Sequence, residues 1–249
     1  MKKVNRTNNY AHSTKISIKT LIGTWDKTSW ILLIVPVLLT LWVYFGKQDF
    51  FNKSFGNLIN VWNQDFYSTV YEYLCAFILM FVVPFIFIKF FFKDKLINYG
   101  FKKGDSRFGL KFCLFSIPII LGLMYIGAGT ASVQIEYPLA KSITGNINYI
   151  IIIELFYLVY YISWEFFFRG VMLFGLEQKY GALVAILIQT IPSTIVHIGK
   201  PFGETMGAVI GGLVFGYLAL RTRSILYPFI LHALLGISTD IFVILRTIH

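Results

Sequence analysis

The sequence predicts an all-α fold, a polytopic bundle of transmembrane helices, on three observations. Hydrophobic residues make up 57% of the 249 and charged residues only 14%, against about 45–50% and about 25% in soluble domains. The apolar residues gather into about seven segments, most of them near the length that crosses a hydrocarbon layer about 30 Å thick. The Lys and Arg residues between those segments are distributed unevenly, as membrane orientation requires. A soluble domain of this length would expose much of its Phe, Ile, Leu, Val and Tyr as adhesive patches.

Residues 1–29 are polar and basic, with no signal-peptide pattern, and read as a tail. The first segment runs from Trp30 to Phe45 and contains Pro36, which a membrane helix tolerates. Spans two and three follow at about Val70–Phe92 and Phe108–Ile126, separated by a basic loop. The fourth run, Ile147 to Leu176, is longer than one span needs and carries Glu154, Glu165 and Arg169. The fifth, Ala182 to Val196, ends near Pro192 and a polar cluster of His197, Gly199, Lys200, Pro201 and Glu204. The sixth and seventh, Met206–Leu220 and Ile225–Leu245, are short and contain Gly or Pro. Residues 30–249 are therefore expected to form a single transmembrane domain, with some segments short or re-entrant. Gly207, Gly211, Gly212 and Gly216 form small-xxx-small pairs and are expected to pack inside the bundle.

With the N-terminus in the cytoplasm, 17 of the 22 Lys and Arg fall on the cytoplasmic side, which is the expected bias. The net charge of +10 is thereby used for orientation. The basic residues form no stripe for nucleic acid, and membrane lipid is the expected partner. Cys75 and Cys113 lie in apolar runs without a second Cys or His at ligand spacing, which excludes a disulfide framework and a zinc finger.

A charge at mid-membrane depth costs at least about 2.5–3.5 kcal/mol and needs a partner, a wet cavity or a proton. Glu165 has a partner one helical turn on in Arg169. Glu154 lies near the end of its run without one. Two histidines, His197 and His232, fall in the apolar half of the chain, in segments different from that of Glu165. A carboxylate and two imidazoles gathered between helices suit hydrolysis: the carboxylate takes a proton from water, and the imidazoles stabilise an oxyanion or bind a metal.

In this order and spacing, these residues resemble the CPBP intramembrane proteases, a family that includes type II CAAX prenyl endopeptidases and bacterial proteins linked to bacteriocin processing and self-immunity. The resemblance covers about Tyr149 to Asp240. Trp164, Glu165, Arg169 and Gly170 occupy the places of two adjacent glutamates, an arginine and a glycine. Ser193 and His197 match a Phe followed after three residues by histidine, and His232 and Gly236 match a His followed after three by Asn or Asp. Trp164 stands where the family has its usual water-activating glutamate, Ser193 replaces the Phe, and Gly236 supplies no amide or carboxylate.

The resemblance implies an integral protein of a bacterial cell membrane that cleaves a peptide or membrane-associated protein substrate. Glu165 would activate water, Arg169 would orient it, and His197 and His232 would stabilise the oxyanion or hold a divalent metal such as zinc. Whether any cofactor is needed stays open, as does the oligomeric state. Glu204 and Asp240 are additional candidates, although Asp240 lies two turns from His232, about 12 Å along a helix. The alternative is an inactive family member serving as a membrane binding or bacteriocin-immunity protein. A transporter or channel reading finds no internal repeat to support it.

Overall fold

The computed structural model describes residue 18 and residues 23–59 and 63–248; most of the expected basic tail lies outside them. Among the described residues the secondary structure is helical, with one isolated bridge between Ile198 and Lys200. Six helices are long and apolar enough to cross a membrane, and one apolar helix is shorter. The protein is an integral membrane helix bundle.

The first span, α1 (Lys27–Phe45), is started by a capping box in which Asp26 accepts from the Ser29 amide at 3.0 Å and the Asp26 amide donates to Ser29 Oγ. Its buried residues Ile31, Val35, Leu38, Leu39 and Trp42 recur at helical spacing and form one stripe. A short helix, α2 (Gln48–Phe55), leads to α3 (Gln64–Phe91), whose second half includes π-helical stretches on both sides of Pro84. The helices α4 (Ser106–Gly127) and α5 (Ala131–Glu136) follow. The long α6 (Ile147–Tyr180), the short α7 (Ala182–Ile195), α8 (Phe202–Thr222) and α9 (Leu226–Ile248) complete the bundle.

The 34 residues of α6 extend about 50 Å at 1.5 Å each, so this helix is the bundle's axis. Every residue from Ser163 to Leu176 is buried, the state expected of a helix that is apolar on all sides. Gly170 and Gly175 let neighbours approach it: a Cβ at Gly175 would lie 2.5 Å from Ile31, and one at Gly170 3.2 Å from the Tyr99 carbonyl. In contrast, Leu114, Phe115, Leu155 and Leu183 are exposed on the bundle's flanks. Such surface is stable against hydrocarbon and a liability in water.

Ion pairs gather at the two ends of the bundle. At one end lie Lys27–Asp94 (3.0 Å), Lys179–Asp26 (2.7 Å), Arg221–Asp105 (2.9 Å) and Arg223–Glu177. The second cause of the lowered Asp105 pKa is Arg221; the first is the Phe108 amide that its carboxylate accepts while capping α4. Gly100 helps close this end, since its left-handed backbone (φ +82) brings its carbonyl to the Ile225 amide at 3.1 Å. At the other end lie Lys47–Glu72 (2.9 Å) and Lys200–Glu136.

The glycines of α8 divide into two pairs, which corrects the expectation that all four pack inside the bundle. A Cβ at Gly212 would come within 2.6 Å of Thr190, and one at Gly216 within 3.2 Å of Gln189 and Ile186, so this pair is the contact with α7. Gly207 and Gly211 meet nothing within 4 Å. Gly212→Ala should therefore lower the melting temperature of the detergent-solubilised protein, since overpacking costs about 1–3 kcal/mol. Gly207→Ala should leave it unchanged or raise it, because alanine is the better helix former by about 0.8–1 kcal/mol. Equal losses in the two variants would contradict this division.

Candidate active site

Glu165 sits near the middle of α6, where the α-helical Ile147–Glu165 stretch gives way to π-helix over Phe166–Phe174. Such a stretch widens the turn and is common at functional sites. Glu165 is fully buried, and Arg169 is 2% exposed. The guanidinium Nη1 donates to Glu165 Oε1 at 3.1 Å, and Nη2 donates to the Gly211 carbonyl of α8 at 3.3 Å. Arg169 does not reach toward a lipid headgroup; it spends its charge inside the bundle.

His232, on α9, reaches the same carboxylate oxygen from the opposite side, with Nδ1 2.6 Å from Glu165 Oε1. Where the carboxylate accepts this bond, His232 Nδ1 supplies its hydrogen. Glu165 Oε1 is thus held twice, while Oε2 is buried without a hydrogen-bond partner among the described residues. The Tyr161 ring lies one turn before Glu165 on α6 and packs against His232 at 4.6 Å between centroids. Its hydroxyl fills the space beside Gly236 in which a side chain would stand.

The short fifth helix expected from the sequence is present: α7 has 14 residues and rises about 21 Å, too little to cross the layer. The chain turns back at His197–Pro201, with Gly199 at φ +101. His197 is fixed by its own turn, its Nδ1 2.6 Å from the Ser193 carbonyl. Ser193 contributes through its backbone, so the absence of the Phe costs this contact nothing. Burial holds the His197 imidazole below its usual range, at about 4; the Ser193 carbonyl acts in the opposite direction, and the charges of His232, Lys200 and Lys47 lower it further.

Trp164 joins the two histidines. Its ring is edge-on to His197 at 5.3 Å and to His232 at 6.2 Å, and its other ring neighbours are Trp42, Tyr160 and Phe168. Glu165, Arg169 and His232 are thus joined by direct bonds, and His197 is joined to them through the indole. Glu204 is engaged elsewhere, accepting from the Tyr137 hydroxyl at 2.7 Å. Asp240 is buried one turn beyond Gly236, bonded to none of these groups. Glu154 likewise has both carboxylate oxygens buried and unpartnered.

A metal does not fit these donors. A catalytic zinc takes three protein ligands, and among the described residues no three His, Cys, Asp or Glu side chains converge in that way. The Arg169 guanidinium also occupies one face of the carboxylate. His197 and His232, which the sequence left open as metal ligands, therefore lack a third ligand among the described residues, and no chemical step is routed through a metal. The linking indole and the Tyr161 ring are what sequence reading missed. Tyr161 left a signal in its four-residue spacing from Glu165; Trp164 registered only as a missing carboxylate.

Residues 144–237 match the family model described as Type II CAAX prenyl endopeptidase Rce1-like. Neither the curated proteins nor the solved structures include a match to the chain.

Two outcomes follow from the buried charges. Arg169→Ala should lower the melting temperature steeply, since removing one partner of a buried pair costs about 3–5 kcal/mol. The double variant Arg169→Met/Glu165→Gln should recover much of the loss; a single variant that melts like the wild type would show that the pair carries no such cost. The second concerns pH. Unfolded His197 binds a proton near pH 6.5 and the folded residue only near 4, so its contribution is complete above pH 6.5 and is lost as pH falls toward 4. His197→Asn should flatten the melting temperature against pH across that window, and an unchanged slope would refute the assignment.

Proposed function

Because the chain belongs, through residues 144–237, to the family of type II CAAX prenyl endopeptidase-like (CPBP) intramembrane proteases, we propose that it hydrolyses peptide bonds of membrane-associated substrates at the Glu165 site. The observation that carries this reading is the division of labour within one carboxylate. Oε1 is fixed by His232 and Arg169, and Oε2 is buried and unspent, as a group that must hold an attacking water requires.

Glu165 Oε2 takes a proton from that water as its oxygen adds to the scissile carbonyl carbon. The carbonyl π pair moves onto oxygen, giving a tetrahedral oxyanion. Collapse of this intermediate breaks the C–N bond, and the proton held by Glu165 passes to the departing amine. Peptide and water give one acid and one amine. His232 and Arg169 keep the carboxylate oriented. Neutral His197 presents Nε2 as an acceptor for the substrate's amide N–H. Glu165 thereby takes the base role that a glutamate at Trp164 would otherwise share.

The family's description, a prenyl endopeptidase, supports peptides that carry a lipid-modified cysteine as first substrates to try. The charge distribution supports an orientation with the Lys- and Arg-rich end of the bundle in the cytoplasm. Trp164 also supports a second reading, in which the protein binds a membrane peptide without cleaving it. Bulk stands in place of a base, and its indole packs between both histidines.

The test uses the full chain in liposomes and a library of internally quenched peptides, half of them bearing a farnesylated cysteine. The wild type should cleave a subset, and Glu165→Gln should reduce that cleavage at least about 100-fold, within the range general base catalysis contributes. Binding of the same peptides with no cleavage, undisturbed by Glu165→Gln, would replace the protease reading with the binding one.

A further inference from the structure

Each polar side chain around Glu165 already gives a hydrogen to a fixed acceptor. His232 spends its Nδ1 hydrogen on Glu165, and His197 spends its own on the Ser193 carbonyl. Burial keeps His197 neutral at pH 7, and with its Nδ1 hydrogen spent it offers only a lone pair at Nε2. Arg169 gives one Nη1 and one Nη2 hydrogen to Glu165 and Gly211, and its Nε is buried without a hydrogen-bond partner among the described residues. The Trp164 indole Nε1 is also buried without a partner among the described residues, in a side chain 2% exposed, and its ring packs against both histidines.

A buried N–H without an acceptor costs about 1–3 kcal/mol, and tryptophans in such places ordinarily find one. Around the indole, the Trp42 and Phe168 rings offer no strong acceptor, and the indole N–H is not bonded to the Tyr160 hydroxyl. The polar side is the one formed by His197 and His232, next in the chain to Glu165.

We propose that the Trp164 indole N–H is the oxyanion donor of this protein, a catalytic residue that hydrogen-bonds the scissile carbonyl oxygen as it becomes negative. This rests on the protease reading above. As water adds to the carbonyl carbon and Glu165 takes the proton, the charge that appears on oxygen is met by the indole N–H. On collapse the carbonyl re-forms, the C–N bond breaks, and the hydrogen bond relaxes. The indole gives up no proton. Tryptophan at 164 then exchanges the function of the position, from taking a proton to holding a charge.

The experiment compares proteoliposomes carrying wild type, Glu165→Gln, and two variants at 164, using the quenched peptides that the wild type cleaves. Trp164→Phe keeps an aromatic ring and removes the N–H. Replacement of Trp164 by β-(3-benzothienyl)alanine, introduced by codon suppression, exchanges the N–H for sulfur in a ring of nearly the same shape and guards against loss of folding in the phenylalanine variant. Both should lower kcat about 100-fold, the usual effect of deleting one oxyanion donor, with KM within about twofold and the melting temperature of the benzothienyl protein unchanged. A benzothienyl protein that keeps wild-type kcat while Glu165→Gln is inactive would overturn the donor role and leave the protease reading intact. Equal loss through KM would also overturn it, assigning Trp164 to substrate binding. Undiminished cleavage by Glu165→Gln would instead remove the base role of Glu165 on which the inference stands.

Discussion

A carboxylate fully enclosed at the centre of an apolar bundle is the constraint on which the rest of the structure depends. Glu165 has no exposed surface, and an isolated ionised group in that position would be unstable by several kcal/mol. The chain meets this with Arg169 on the same helix and His232 on another, both on Oε1. Because Arg169 also bonds the Gly211 carbonyl, the groups that balance the Glu165 charge also tie α6 to α8 and, through His232, to α9. Site and fold are secured by the same bonds.

The form of α6 follows from that burial. Its middle is enclosed on all sides, which requires small residues where neighbours cross it, at Gly170 and Gly175, and large aromatics elsewhere, with Phe166, Phe167 and Phe168 fully buried. The π-helical stretch begins directly after Glu165. The shortness of α7 has an equal consequence, since a full span would carry His197 past the level of Glu165. Stopping after 14 residues and turning back holds it against Trp164.

The departures from the family pattern also find local physical accounts. Ser193 holds His197 through its carbonyl, which any residue supplies. Gly236 is small because the Tyr161 hydroxyl stands where its side chain would be. Tyr161 in turn packs on His232, so the aromatic ring and the glycine form one complementary unit. Beyond this region Asp240 and Glu154 keep buried, unpartnered oxygens; they lie on α9 and α6 outside the bonds that hold Glu165.

By itself the sequence determined the helical membrane class, nearly every segment, and the pairing of Glu165 with Arg169. These are local or compositional: a run of apolar residues has few stable conformations in a bilayer, and residues four apart on a helix face each other whatever surrounds them. The short fifth segment and its turn were legible for the same reason, from Pro192, Gly199 and Pro201. What only the tertiary structure decided is how separate helices meet. Which oxygen of Glu165 His232 holds, which histidine nitrogen is spent, that Trp164 stands between the histidines, and that Gly207 and Gly211 face open space depend on helix rotation and depth. Every face of an apolar helix reads alike in the sequence, since lipid and protein core favour the same residues, and only packing distinguishes them.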